Sequence, residues 1–491
     1  MLKKIVITTI LILGFIVRLY KIDNPIADWH SFRQADTASV TNNYLKNGIN
    51  ILHPTYHDLS NVQSGMYNIH GYRMVELPIY NILCVGVYKT VSFFKHDIPP
   101  EITYRLTSIL LSLGSAIVIY LIAYSLTSNY FASLFVMSAF LFIPFNIYYS
   151  RAILPETLGV LAMLLTILFF KKNIYLSAIF FALALLIKPF IGILLLPILT
   201  LFVFNKFTFK SIPKYLIFGL ISLFPFILWR IWISQFPEGI PVSAWLLNNS
   251  TTKIVNDWYH GIYIAWLNKI VAFRPYWFQW LFYERINKLI LGSFGLIFVY
   301  LGLAYKKNLT QKFNIASIIG VLLYFIIVAG GNIQHDYYQI IIIPTIAFLF
   351  GFGLYYSMTF LFSNKITAII TSSIVLIFSI YFSWNQVKEY YKINNPSIIT
   401  IGKEIDKLLP KNAIVIAPYQ GDTAFLYQIR RDGYPTEIYE INDVIKLHPN
   451  QPHYLVSLNN DKYTNHIASS YKILIKNDQF TILDLNNETK K

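Results

Sequence analysis

Asp28, His30, Arg33 and Asp36 crowd the stretch DWHSFRQADTASVTNNYLKNG. Read as an amphipathic helix, it spaces His30, Arg33 and Asp36 or Thr37 by three or four residues and so sets them on one face. Carboxylate, imidazole and guanidinium on one face can address a single ligand. The same pattern also suits an interfacial helix with solvated charges and a local Arg33–Asp36 pair. Further on, Glu76 stands in VELPIYNIL, Arg105 opens RLTSILLSL, and Arg151 and Glu156 flank Pro155 in SRAILPETL. Lys188 precedes Pro189 in LLIKPF, Arg274 lies in the aromatic run FRPYWFQWLFYER, and His335, Asp336, Tyr337 and Tyr338 are consecutive. Several of these have plain structural readings: snorkelling to headgroups for Arg151 and Glu156, a Trp/Tyr belt around Arg274, a hydrogen-bonding role for His335. Lys188 fits such a reading least, because Pro189 exposes free carbonyls beside it and neither neighbour is polar.

Other chemistries find no footing. There is no GxSxG elbow for a nucleophilic serine and no GxxxxGK[ST] loop for ATP. The single cysteine, Cys84, lies in an apolar run and can form neither an internal disulfide nor a thiolate cluster. No HxxxH or HExxH spacing joins His30 or His335 to other ligands, so a divalent metal is left without support and no cofactor is required.

These residues must be positioned by elements of a membrane protein. Of 491 residues 55% are apolar and 13% are charged, against about 25% charged in soluble chains. That composition excludes a disordered or nucleic-acid-coating protein, and the net charge of +16 is expected to face lipid headgroups. Apolar runs near 4–22, 103–125, 129–149, 154–170, 174–188, 190–204, 213–234, 286–304, 313–329, 339–360 and 365–384 predict about eleven transmembrane helices, the first an uncleaved span. The runs 154–170 and 174–188 are short, as expected of helices that end below the outer surface.

Charge sidedness sets the orientation. If residues 77–94 lie along the interface, then Lys171, Lys172, Lys206, Lys210, Lys214, Lys306, Lys307, Lys312 and Lys365 share a side with Lys3 and Lys4. The positive-inside rule then makes the N-terminus cytoplasmic and the C-terminus extracytoplasmic. Juxtamembrane helices are expected in the first and fourth outer loops (23–102 and 235–285), and all the candidate groups collect on the outer face. Residues 386–491 read as a separate soluble, extracytoplasmic α/β domain: a helix over Ile401–Leu409, strands over Ala413–Ala417 and Tyr454–Ser457, and a hairpin in YKILIKNDQFTILDL turning at Asn477–Asp478. Residues 1–385 form the transmembrane domain.

An ionisable group inside a span costs at least about 2.5–3.5 kcal/mol, so survivors at span ends are functional candidates. Outer-face carboxylates with Arg and Lys beside shortened helices suit a donor with a lipid tail and a phosphate head. Glycosyl transfer from a polyprenyl-phosphate sugar is the simplest such reaction. The alternative is a transporter or flippase of a lipid-linked or anionic substrate, but no internal repeat is visible and the polar groups avoid mid-span.

The order FRQAD, VELPIYNIL, RLTSILLSL, SRAILPETL, LALALLIKPF and HDYYQIIIIP resembles the GT-C membrane glycosyltransferases, the family of the dolichyl-phosphate-mannose protein mannosyltransferases and the bacterial aminoarabinose transferase. The resemblance implies a GT-C fold, an active site on the non-cytoplasmic face, and a catalytic base among Asp36, Asp28, His30 and Glu76. Asp36 matches the second acidic position of the first-loop motif, while His30 and Ser31 stand where many members have an adjacent Asp and Glu. It further implies donor-phosphate contacts from Lys188, Arg274 and Tyr337 or Tyr338 and a sugar or acceptor contact from Glu156; by their placement on the outer face, Arg33 and Arg151 are further candidates for the phosphate, and His335 and Asp336 for the sugar or acceptor. The implied partners are a polyprenyl-phosphate-sugar donor, a glycan, lipid or protein acceptor, and membrane lipids. Nucleic acid is not among them.

Overall fold

A computed structural model describes residues 2–204, 208–247, 271–305, 308–458 and 461–488 of the chain. Lys206, Lys306, Lys307 and residues 248–270 of the fourth outer loop lie outside the described residues. Packing divides the chain into two compact units. One comprises Met1–Ile22, Arg105–Trp229 and Ser243–Tyr390; the other comprises Asp23–Tyr104, Arg230–Val242 and Tyr391–Lys491.

The first unit is helical. Among the described residues, five helices are long and apolar enough to cross a membrane: Pro100–Thr127, Phe209–Ile233, Leu309–Ile327, Asp336–Phe360 and Lys365–Tyr391. The chain is a multi-pass membrane protein. The helices Glu156–Phe170 and Ile174–Ile187 have 15 and 14 residues, so each reaches only about 22 Å, less than the ~30 Å hydrocarbon core.

Two expected spans are interrupted. The run 129–149 breaks into Tyr130–Phe142 and Pro144–Tyr149, with Ile143 extended between them (φ −61°, ψ 119°). Pro144 is the cause: it lacks an N–H to continue the ladder and drives the preceding residue out of the helical region. The run 286–304 begins within a π-helix, Gln279–Ile290, and resumes as Leu296–Ala304 after a turn. Gly292 makes that turn at φ +55°, where a Cβ would lie 2.0 Å from the Ser379 carbonyl oxygen. Carbonyls freed at the π-helix end are capped from Lys365–Val387, with Ser383 Oγ donating to Leu289 O and Ser379 Oγ to Leu291 O, both at 2.7 Å. Leu296–Ala304 then packs closely on Ile343–Phe360, since a Cβ at Gly353 would sit 1.7 Å from Phe298 O.

The second unit contains a five-stranded sheet ordered β2-β1-β3-β5-β4, from β1 (Ile414–Ile416), β2 (Asp432–Tyr434), β3 (His453–Ser457), β4 (Tyr471–Lys476) and β5 (Thr481–Glu488). β1 pairs in parallel with β2 and β3, whereas β5 runs antiparallel to β3 and β4. Both faces are covered, as the apolar run of β1 requires. Val415, Val456 and Ile482 face a core with Ile398, Ile401 and Ile405 of the helix Ser397–Leu408. Ile414, Ile416, Leu455 and Leu483 face the opposite core. The expected hairpin is present: Lys476 pairs Thr481, and Asn477 Oδ1 accepts from the backbone N–H of Gln479 and Phe480.

Composition alone would cut the chain at residue 386, whereas packing joins the first loop to the tail. Leu59 N donates to Gly433 O at 2.8 Å and Gly433 N to His57 O at 2.9 Å, so residues 57–59 lie parallel beside β2 and cover a sheet edge. Gly433 has no room for a Cβ, which would meet Val415 O at 1.9 Å.

Candidate functional site

In the second unit the helix Ser31–Asn47 carries Arg33 and Asp36. It is buried rather than interfacial: Arg33, Gln34, Asp36, Thr37, Ser39 and Thr41 are all enclosed. Its polar residues tolerate burial because they are bonded. Thr37 Oγ1 donates to Arg33 O, Asn81 Nδ2 donates to Thr37 O and Thr41 Oγ1, and Ser39 Oγ accepts from His57 N.

The local Arg33–Asp36 pair of the interfacial-helix alternative does not form. Arg33 reaches Glu76 at 2.8 Å, and Asp36 pairs instead with Arg73 at 3.1 Å, all four side chains being at least nine-tenths buried. A cleft of 10 Å³ lies beside them, lined by Arg33, Asp36, Thr37, Arg73, Glu76 and Asn81 among others, about the volume that holds one water. Asp36 Oδ2 also accepts from Gln63 Nε2 at 3.1 Å, and Oδ1 from Thr423 Oγ1 at 2.8 Å. Of about four acceptor sites on a carboxylate, three are taken, and the remaining one is on Oδ1.

His30 departs from the expected shared face. It precedes the helix with φ 54°, and its ring packs against Trp29 and Phe32 at 5.1 and 5.8 Å. Asp28 is buried and accepts from Gln34 Nε2 at 2.8 Å. Behind Asp36 sits His57, whose Nε2 lies 3.2 Å from Thr423 O. Burial lowers the His57 pKa to about 4, which leaves a neutral ring donating to that carbonyl. Burial likewise pushes Asp58 up to about 6, although Ser60 N donates to it at 2.8 Å.

The first unit holds the other candidates. Lys188, which ends the short helix Ile174–Ile187, pairs at 2.7 Å with Glu156 at the start of the short helix Glu156–Phe170. Glu156 is fully buried, and its Oε2 has no hydrogen-bond partner among the described residues. Lys188 Nζ lies 4.4 Å from the ring centre of Tyr338 and 5.5 Å from that of Tyr337. His335 stacks on Tyr337 at 5.4 Å. One ammonium thus meets a carboxylate and two aromatic faces where two truncated helices stop, with a carboxylate oxygen still able to accept from a hydroxyl.

Other groups of this unit are engaged structurally. Asp336 is fully buried and accepts from Tyr149, Tyr390 and Arg285, the last at 3.3 Å. Arg151 is buried, donates to Lys21 O at 2.8 Å and stacks over Tyr148. Arg105 donates to Ile22 O at 2.8 Å. Arg274 is the N-cap residue of the short helix Pro275–Phe278 without a side-chain capping bond, and its guanidinium lies 6.0 Å from the Tyr276 ring. Among the described residues no three His, Cys, Asp or Glu side chains converge as metal ligands would.

Sequence reasoning missed Arg73, Gln63, Thr423 and Arg285. Arg73 stands just ahead of Glu76 and Arg285 ends the aromatic run of Arg274, so proximity to a motif could have flagged both. Thr423 carries no local signal.

No family model matches the chain, and no curated protein matches its sequence. Solved structures do match. The crystal structure of ArnT from Cupriavidus metallidurans bound to undecaprenyl phosphate is 12% identical, with a TM-score of 0.60 over 98% of this chain and 97% of that one. The apo state of the same protein is 11% identical, with a TM-score of 0.61 over the same shares. The resemblance carried by the order of motifs therefore holds as a likeness of fold: the chain has the fold of ArnT along nearly its whole length.

Proposed function

We propose that this protein transfers a sugar from a polyprenyl-phosphate donor to an acceptor hydroxyl at the extracytoplasmic face of the membrane, inverting the anomeric configuration. The observation that carries this reading is the buried Lys188–Glu156 pair beneath Tyr337 and Tyr338. It occurs in a chain with the fold of a protein crystallised with undecaprenyl phosphate. In this reading Ile79–Phe94 lies along the interface, and the five long helices together with Leu2–Arg18, Tyr130–Phe142, Glu156–Phe170, Ile174–Ile187, Ile191–Val203 and Leu296–Ala304 make about eleven crossings. The N-terminus is cytoplasmic.

The roles follow from the chemistry of each group. The acceptor oxygen attacks the anomeric carbon on the face opposite the phosphate, and the bond from that carbon to the phosphate oxygen breaks with its electron pair leaving on phosphate. Asp36 takes the hydroxyl proton on its open Oδ1 site, held in place by Arg73, Gln63 and Thr423. Lys188 stabilises the departing phosphate, and Glu156 Oε2 accepts from a sugar hydroxyl. General-base assistance contributes about 10²- to 10⁴-fold, and leaving-group stabilisation a comparable factor.

Membranes containing the protein, supplied with polyprenyl-phosphate sugars and cell-envelope acceptors, are expected to yield glycosylated product and free polyprenyl phosphate. Donor moved across the bilayer without cleavage of the sugar–phosphate bond would instead identify a flippase and overturn the transferase reading.

A further inference from the structure

The second unit contains a cavity that the proposed chemistry does not use. It measures 310 Å³, within the range of small-ligand sites, and its walls come from the helix Ser31–Asn47, from His57, from Pro100 and Glu101, and from tail residues 426, 427 and 430–432 with Lys411. Its floor is a connected polar network. Tyr104 Oη donates to Asn42 Oδ1 at 2.7 Å, Asn42 Nδ2 donates to Tyr427 Oη at 3.2 Å, and Tyr427 Oη donates to Glu101 Oε1 at 2.8 Å. Such a network holds fixed donors and acceptors towards hydroxyl groups.

The rim is cationic. Lys46, Lys411, Arg430 and Arg431 line the cavity against the carboxylates of Glu101 and Asp432. Arg431 is fully buried and pinned to Asp406, and Lys411 reaches the same carboxylate at 2.7 Å. Arg430 lies 3.9 Å from it and is 68% exposed, so one carboxylate serves three cations. Charge is left over for a ligand. Pro100 and Leu426 are its only aliphatic residues among the described lining, the rest being polar or charged, which argues against a lipid chain.

We propose that this cavity binds a saccharide or polyol bearing phosphate or carboxylate groups, its hydroxyls on the Asn42–Tyr427–Glu101 network and its anionic groups on Lys411 and Arg430. That the ligand is the acceptor of transfer rests on the reading given under Proposed function; the binding itself does not.

The test uses the full-length protein in nanodiscs at low salt, titrated with a glycerol-phosphate oligomer, an oligoglucuronate and neutral maltopentaose. At least one charged probe is expected to bind tenfold or more tightly than maltopentaose, and which one does so separates phosphate from carboxylate as the source. The Lys411→Ala/Arg430→Ala variant, altered only at exposed side chains, should lose fivefold or more of that affinity with unchanged Tm. Equal binding of all three probes, or unaltered affinity in the variant, overturns the proposal. Charged-probe binding that the variant weakens, in a protein that shows no sugar transfer, upholds the cavity and removes only its acceptor role.

Discussion

The hydroxyl of Thr423 donates to Asp36 Oδ1 across 2.8 Å of space and 387 residues of sequence. The carboxylate proposed as base is therefore oriented by the tail, and a hydrogen bond to a charged acceptor contributes about 1.5–3 kcal/mol. Thr423→Val should lower kcat by roughly ten- to a hundredfold if that energy is expressed in turnover, with donor KM little changed, and Thr423→Ser should restore most of it. Asp36→Asn should abolish transfer while donor binding persists. Steady-state kinetics in membranes decides, and normal turnover of Asp36→Asn would remove it as base.

The Lys188–Glu156 pair makes stability and binding separable. Lys188→Ala leaves a buried carboxylate uncompensated and should cost about 3–5 kcal/mol. The double variant Lys188→Met/Glu156→Gln should regain most of that stability in thermal unfolding yet bind polyprenyl phosphate poorly. Retained lipid binding in the double variant would show that the pair is only structural.

Asp336 leads to the opposite expectation. Its three donors engage both carboxylate oxygens in a fully buried site, so Asp336→Ala should destabilise the protein by about 3–5 kcal/mol while the protein that remains folded keeps its transfer rate. An unchanged Tm with abolished transfer would place Asp336 on the substrate instead.

Acidity should move the second unit in two directions. Burial raises Asp58 to about 6 from 3.8, so the folded state is penalised as pH rises through that window and the penalty is complete above it. His57, lowered to about 4 from 6.5, favours the folded state when neutral, and that support is lost as pH falls from 6.5 to 4. Asp58→Asn should therefore raise Tm at pH 7 and do so much less at pH 4. Hydrogen exchange of the tail sheet can supply the same comparison, and an equal gain at both values would refute the assignment.

The membrane character, the short helices around Pro155 and Lys188, the tail hairpin and the order of motifs were all legible in the sequence. Each rests on local information: apolar length, proline, turn chemistry and charge placement. Lys188 stood out because a lone cation in an apolar run carries a cost, and the structure pairs it with Glu156. Only the tertiary structure decided which charges pair. A helical spacing of three permitted Arg33 to bond Asp36, but Arg73 and Glu76 enter from a distant turn and divide the two between them. The same holds for Thr423 and for the union of first loop and tail, since side-chain partners and sheet-edge contacts depend on how distant segments pack, which local periodicity does not encode.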